Sequence, residues 1–365
     1  MRRVLGCIAV GVLAGQGMAL AQAVPQRLLA LSKNDQTMAI IDPVSLKVEA
    51  RVPVGGNPHE VIASADGKRA YVSNYGNGAL NTITVVDLLT HKPLTTIDLG
   101  PLYGPHGLTV VGGHPWFTAE REKVINRLDP ATNKVDWQLG TGQIGTHMLW
   151  VSQDQKHIVT VNVGSSTVSL IQQRAVVSAA EAAKQGYSKV GAQTTRGANG
   201  PPMPEWDVAV VKVGTHPEGF DVLHDAAGMP TQVWVANYVE GTISVVDFAK
   251  HAVVATIDSG TKTALRLRFT PDGKRALVAT DTGHDLVVLD VATRKVIKRI
   301  PVGTGGGGIV ITPDGARAFV SESPDNVVES IDLKSYAITG KVDVGKNPDG
   351  LAWAMPGDPN GGVSP

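Results

Sequence analysis

The sequence predicts an all-β chain built from seven repeated four-stranded units, and three observations carry that prediction. A glycine-ended element recurs along the whole length: "RVPVG" at Gly55, "TIDLG" at Gly100, "DWQLG" at Gly140, "VVKVG" at Gly214, "TIDSG" at Gly260, "RIPVG" at Gly303 and "KVDVG" at Gly345. The copies lie forty-odd residues apart, except once where the gap is about thirty longer. Between them stand short valine- and isoleucine-rich runs with period-2 alternation, as in "NTITVVD" and "GTISVVD". The third observation is turn chemistry at fixed places, with Asp-Gly in "SADGK", "TPDGK" and "TPDGA". Four short strands separated by Gly, Asp and Asn turns make one blade, and the whole reads as a seven-bladed β-propeller.

Each blade justifies itself in chain order. An inner apolar strand comes first, as in "GFDVL" and "GIVIT". A second strand ends in a polar residue, as in "AYVSN", "VWVAN" and "AFVSE". A third strand ends in Asp (Asp42, Asp87, Asp129, Asp247, Asp290 and Asp332), whose carboxylate suits backbone N–H groups two residues on. The fourth, outer strand opens Lys-Val or similar and runs to the recurring glycine. The count reaches seven only if the ends join. The N-terminal "RLLALSK", "TMAIID" and "KVEARVPV" lack an inner strand, and the C-terminal "NPDGLAWAM" supplies one. A ring closed by strands from both ends in one blade leaves no open sheet edge.

Three segments stand outside this pattern. Residues 1–23 read as a secretory signal peptide: Arg2 and Arg3, an apolar run from Val4 to Leu20, then the A-x-A site Ala21-Gln22-Ala23. The single cysteine, Cys7, lies inside it, so the exported part has no disulfide and depends on its core. Residues 173–205 form an insertion in blade three, counting the His59 blade as one. It holds a helix-prone "VSAAEAAKQG" and a loose "AQTTRGANGPPMP", and it reads either as a tolerated surface insertion or as a docking arm. Residues 24–355 are the propeller, and 356–365 a flexible tail. The 33 basic and 33 acidic residues balance, which gives no surplus for nucleic acid, and no second apolar run would anchor the chain in a membrane. We expect a monomer in the periplasm or outside the cell.

The histidines carry the functional signal. Aligning the inner strands on their turns gives seven equivalent positions: His59 in "NPHEV", His106 in "GPHGL", His147 in "GTHML", Glu218 in "HPEGF", Leu265, Gly307 and Asp349 in "NPDGL". Inner strands begin at one mouth of the axial channel, so three imidazoles and a carboxylate line half of it, while Leu265 and Gly307 leave the other half open. His91, His114, His157, His224 and His251 fall on the far face without register. Second strands end at the same mouth with Lys33, Asn74, Glu120, Asn162, Asn237, Asp281 and Glu322, and the loops after them add Tyr75, Arg121, Tyr238 and His284. Converging polar groups of this kind are expected to bind a small ligand.

Two readings of the imidazoles are open. They are hydrogen-bonded channel residues inherited from a founding repeat, or they hold a divalent metal through His59, His106 and His147, with Glu218 or Glu120 as fourth ligand or base. Such a set suits zinc, copper or iron alike. "TGGGG" (Thr304–Gly308) precedes a strand and lacks the lysine of a phosphate loop, so it reads as a blade connection. Trp150, Trp206, Trp234 and Trp353 read as blade packing. The chain has no G-x-S-x-G elbow, no H-E-x-x-H and no C-x-x-C-H.

The strings "RAYVSNYGNGALNTITVVDLLTHKPLTTIDLG" and "VWVANYVEGTISVVDFAKHAVVATIDSG" resemble the YVTN β-propeller repeat family. That resemblance implies an exported seven-bladed propeller of lactonase-like or quinoprotein-like shape, and it leaves the chemistry open. The first expectation is a small-ligand binder or metal-dependent hydrolase or lyase, with Glu120 or Glu218 moving a proton. The second is a non-catalytic scaffold or accessory subunit, holding another periplasmic protein, a redox cofactor, a cytochrome or a quinoprotein partner at the same mouth.

Overall fold

A computed structural model describes residues 24–174 and 205–357. The expected signal peptide, nearly all of the insertion and most of the tail lie outside the described residues. Within them the chain forms twenty-eight strands, β1 to β28 in chain order, and one short 3-10 turn at Gly76–Gly78. They assort into seven four-stranded antiparallel sheets. Six sheets take four consecutive strands each. The seventh is ordered β28 (Pro348–Ala354), β1 (Arg27–Ser32), β2 (Thr37–Ile41), β3 (Val48–Pro53). Chain ends therefore close the ring, with Leu28 paired to Trp353 and Leu29 to Ala352. Among the described residues no helix is long and apolar enough to cross a membrane.

Burial follows strand order. Inner and middle strands are buried on both faces, as in "PHGLTVV" of β8 (Pro105–Val111), because each blade packs between two others. Outer strands are mostly exposed, with one buried residue near the end, Ile97 in β7 (Lys92–Asp98) and Ile257 in β19 (Ala252–Asp258). Side chains such as Trp116, Trp234, Phe117 and Phe319 fill the space between blades, each contributing about 2–3 kcal/mol by leaving water. The turn residues act as their chemistry requires. Asp42 Oδ1 accepts the N–H groups of Val44 and Ser45 at 3.0 and 2.7 Å. Asp66 Oδ1 accepts Lys68 N–H at 3.1 Å across the Asp-Gly turn.

One irregularity, repeated in six blades, positions the site. In β4 (Pro58–Ala63) Pro58 pairs with Asn74 and Val61 with Val72, so His59 and Glu60 together oppose the single residue Ser73. The same β-bulge falls at His106-Gly107 in β8, at His147-Met148 in β12 (Thr146–Val151) and at Glu218-Gly219 in β16 (Pro217–His224). It recurs at Gly307-Gly308 in β24 (Gly306–Ile311) and at Asp349-Gly350 in β28. A bulge turns its first side chain off the pleat and here aims it at the channel. Where the second residue is glycine, it abuts the next blade. A Cβ on Gly107 would lie 2.6 Å from the His147 carbonyl oxygen, and one on Gly350 2.3 Å from that of His59. The N–H freed by the bulge finds a hydroxyl on the second strand: Glu60 N–H donates to Ser73 Oγ at 3.0 Å, and Gly107 N–H to Thr118 Oγ1 at 2.9 Å. In β20 (Arg266–Phe269) the pairing runs without this shift.

Candidate functional site

The bulges bring the three predicted imidazoles together. His106 Nε2 lies 3.1 Å from His59 Nδ1, and the His106 and His147 rings face each other with centroids 3.7 Å apart. His147 is gripped from both sides, Nδ1 by Glu120 Oε1 and Nε2 by Glu218 Oε2 at 2.8 Å. Tyr75 donates its hydroxyl to the other Glu120 oxygen at 2.7 Å, and its ring stands edge-on to His59 and His106. His59 Nδ1 is also 3.1 Å from Asp349 Oδ2, which Lys33 Nζ meets at 3.3 Å. One donor atom each from His106, Glu120 and His147 lies within 4.8 Å of the others.

The charges follow from burial and from these pairs. Burial alone would push His147 toward neutrality, but Glu218 and Glu120 outweigh it and hold the ring protonated up to about 10. His147 in turn keeps both carboxylates ionised against the effect of burial, Glu218 far below its ordinary range. His59 has no such pair of carboxylates: burial lowers it to about 4 despite Asp349. His106 falls well below its usual value through burial and the nearby His147 and His59. Its Nδ1 is buried without a hydrogen-bond partner. Burial and Glu120 raise Tyr75 above the ordinary phenol range.

Deeper in the channel an ion pair spans the axis. Arg266, on the inner strand of blade five, lies 2.6 Å from Glu60 Oε1 of blade one and 3.7 Å from Asp349 Oδ1, and donates to the Gly307 carbonyl at 3.1 Å. Burial raises Glu60, opposed by Arg266. Asp349 stays lowered against burial by Lys33, His59 and Arg266. This pair floors the mouth. Across from the imidazoles, Tyr238 donates to Asp281 Oδ2 at 2.5 Å, a bond that raises the phenol to about 12.

The second strands hold a difference from the sequence alignment. Cross-strand pairing makes Ser32, Asn74, Ala119, Asn162, Asn237 and Glu322 one equivalent set, each opposite the residue before the bulge. Lys33, Tyr75, Glu120, Tyr238 and Ser323 stand one residue further on. A slip of one residue changes the face of a strand. The seven-residue set read from sequence therefore mixes two faces: Lys33, Glu120 and Asp281 reach the mouth, whereas the asparagines turn into their blades. Asn74 Nδ2 donates to Thr82 and Thr84 Oγ1 at 3.0 and 2.9 Å, while its Oδ1 accepts Gly55 N–H at 3.0 Å. Asn237 repeats this with Thr242, Ser244 and Gly214, and Asn162 donates to Thr167 and Ser169. Their amides are engaged in the fold, and the close approach of Asn74 to Gly55 and of Asn237 to Gly214 explains why the outer strands before these two positions end in glycine. A Cβ on Gly55 would lie 2.3 Å from Asn74 Cγ.

Glu322 occupies the asparagine position of blade six, fully buried, with both oxygens lacking a hydrogen-bond partner. Arg121 is exposed just beyond Glu120. His284 is set apart, Nδ1 3.2 Å from Thr304 Oγ1. One mouth residue escaped the sequence reading: His216, whose Nε2 lies 2.9 Å from Glu218 Oε1. The signal for it is its place, two residues before Glu218, where Asn57 precedes His59.

A scan of family models and a search of curated proteins found no match to this chain. Solved structures share its fold. A protein of unknown function from Desulfotomaculum acetoxidans DSM 771 superposes with a TM-score of 0.66 at 10% identity, covering 90% of this chain and 99% of its own. A protein from Bacteroides fragilis NCTC 9343, described as a candidate 6-phosphogluconolactonase, gives 0.66 at 15% identity, covering 90% and 98%. At such identity the likeness concerns the fold alone.

Proposed function

We propose that this chain is an exported propeller of the YVTN repeat type that binds a small ligand at one channel mouth, through a divalent cation held by His106, Glu120 and His147. The observation that carries the reading is the approach of ligand atoms of His106, Glu120 and His147 to within 4.8 Å of one another, together with a buried His106 Nδ1 that has no hydrogen-bond partner. Two imidazoles and a carboxylate suit zinc, copper or iron. Glu120 and His147 Nδ1 would hold the cation together, the Nδ1 proton leaving on binding, and Nε2–H would stay on Glu218, as in the carboxylate–histidine–metal arrangement common at such sites. Glu218 then acts outside the ligand set, and His59 braces His106. The bound ion would supply Lewis acidity toward a carbonyl oxygen. Tyr75 is positioned by Glu120, and the Arg266–Glu60 pair closes the floor. Hydrolysis or a lyase step on a lactone is the reaction class we favour, supported by the fold neighbour described as a candidate lactonase.

One observation favours a second reading. His147 already has a carboxylate on each nitrogen, an arrangement complete in charge without a metal. In that case the mouth serves a non-catalytic accessory subunit facing a redox cofactor or a periplasmic partner. Metal analysis of the purified protein separates the two. We expect about one divalent ion per chain, lost in His106→Ala with the β circular-dichroism spectrum unchanged. A protein that arrives metal-free and takes up neither zinc, copper nor iron overturns the first reading.

A further inference from the structure

The residue two places before each bulge sits in left-handed backbone. Asn57, Gly104, Gly145, His216, Gly305 and Asn347 have φ of 47°, 64°, 65°, 57°, 70° and 57°. Glycine and asparagine take this region at least cost, and only blade four uses a histidine. Outer turns of this chain accept Leu46, His91, Arg294 and Tyr336 at similar φ, so the angle by itself argues no role. The contacts do. Asn57 Oδ1 meets His59 Nε2 at 3.0 Å, and His216 Nε2 meets Glu218 Oε1 at 2.9 Å: in both blades this residue braces the mouth side chain two positions on. Where glycine stands instead, in blades two and three, the mouth imidazoles are braced by other side chains, His106 by His59 and His147 by its two carboxylates. Glu218 is thus clasped between two imidazoles, His216 on one oxygen and His147 on the other. The His216 ring lies half exposed beside Tyr238, with centroids 5.7 Å apart.

We infer that His216 is a positioning residue that fixes the Glu218 carboxylate on His147 Nε2 and thereby sets which His147 nitrogen faces the cluster. Its effect on metal affinity rests on the metal reading above. Partners one shell outside a metal ligand change affinity by about 10–100-fold when removed, which sets the scale of the test. Two variants separate backbone from side chain. His216→Gly suits the backbone and removes the imidazole; His216→Asn suits the backbone and restores a side-chain donor, the amide N–H, for the Glu218 carboxylate.

Titrate the purified protein with Co2+, and with Zn2+ in competition. The expected result is a Tm within about 2 °C of wild type and a Co2+ affinity about 10-fold weaker in His216→Gly, partly recovered in His216→Asn. Unchanged affinity in His216→Gly overturns the inference, whether or not the Tm falls. If the wild type takes up neither ion, the His147 Nε2–H proton resonance of the metal-free protein decides. Loss of that resonance to exchange in His216→Gly, with retention in His216→Asn, supports the positioning role. An identical resonance in all three proteins overturns it.

Discussion

Blades one and six place different chemistry at the same point. In blade one the last residue of the second strand is Asn74, whose amide donates to two threonine hydroxyls and accepts a glycine N–H. In blade six it is Glu322, facing Glu329 where blade one has Thr84, with no donor for either of its oxygens. Burial, with Glu329 and Asp325 adding to it against Lys341, pushes Glu322 up to about 8. Lys341 Nζ meets Glu329 at 2.6 Å, so a single ammonium serves two buried carboxyls. The comparison teaches that where the third strand turns polar groups toward it, this position is a structural socket needing a group that both donates and accepts; in blade two it is filled by Ala119. An amide meets that need, and a carboxyl meets it only in part and only while protonated.

The largest expected effect comes from emptying the working socket. Asn74→Leu strands the Gly55 N–H and two hydroxyls in the interior and should cost about 3 kcal/mol, read as a lower midpoint in urea unfolding. Retained stability would mean the socket is dispensable. Refitting blade six is the converse: Glu322→Asn with Glu329→Thr restores the amide and one of its two hydroxyl partners, Val327 standing where blade one has Thr82, and should stabilise by about 1–2 kcal/mol at pH 8. A destabilised double variant would show that the carboxyls have a use of their own.

The pH dependence sharpens the contrast further. The folded value of Glu322 lies above that of an unfolded glutamate, about 4.3, so the folded state binds the proton more tightly. Its contribution is therefore complete below that unfolded value and is lost as pH rises through about 8. Thermal melts of wild type should fall across this window relative to Glu322→Gln, and parallel melts would refute the assignment. The smallest effect concerns the bulge. Thr118 accepts Gly107 N–H and donates to the His147 carbonyl, so Thr118→Val should cost about 1 kcal/mol, measured by the same unfolding.

These blades also show what the sequence could disclose. The ring was legible because outer-strand glycines and turn aspartates are local signals, and Asp42 and Asp66 form the turns read from them. The histidine register was legible because His59, His106 and His147 follow the same lead-in to the same bulge. The second-strand set was misaligned by one residue, since Asn74 and Glu120 look alike as polar strand ends while they point to opposite faces. His216 was missed because its meaning depends on Glu218 having a neighbour in another blade. The Glu60–Arg266 pair joins blades far apart in sequence, and only the closed ring makes them neighbours.

The closing strand ties the channel mouth to the closure of the ring. Asp349, which answers both His59 and Lys33, stands on β28, the strand that pairs with β1 to complete the seventh sheet. Prying β28 from β1 would leave both of those cationic-capable side chains unanswered. The seam of the wheel and the charge balance of its mouth are therefore one feature.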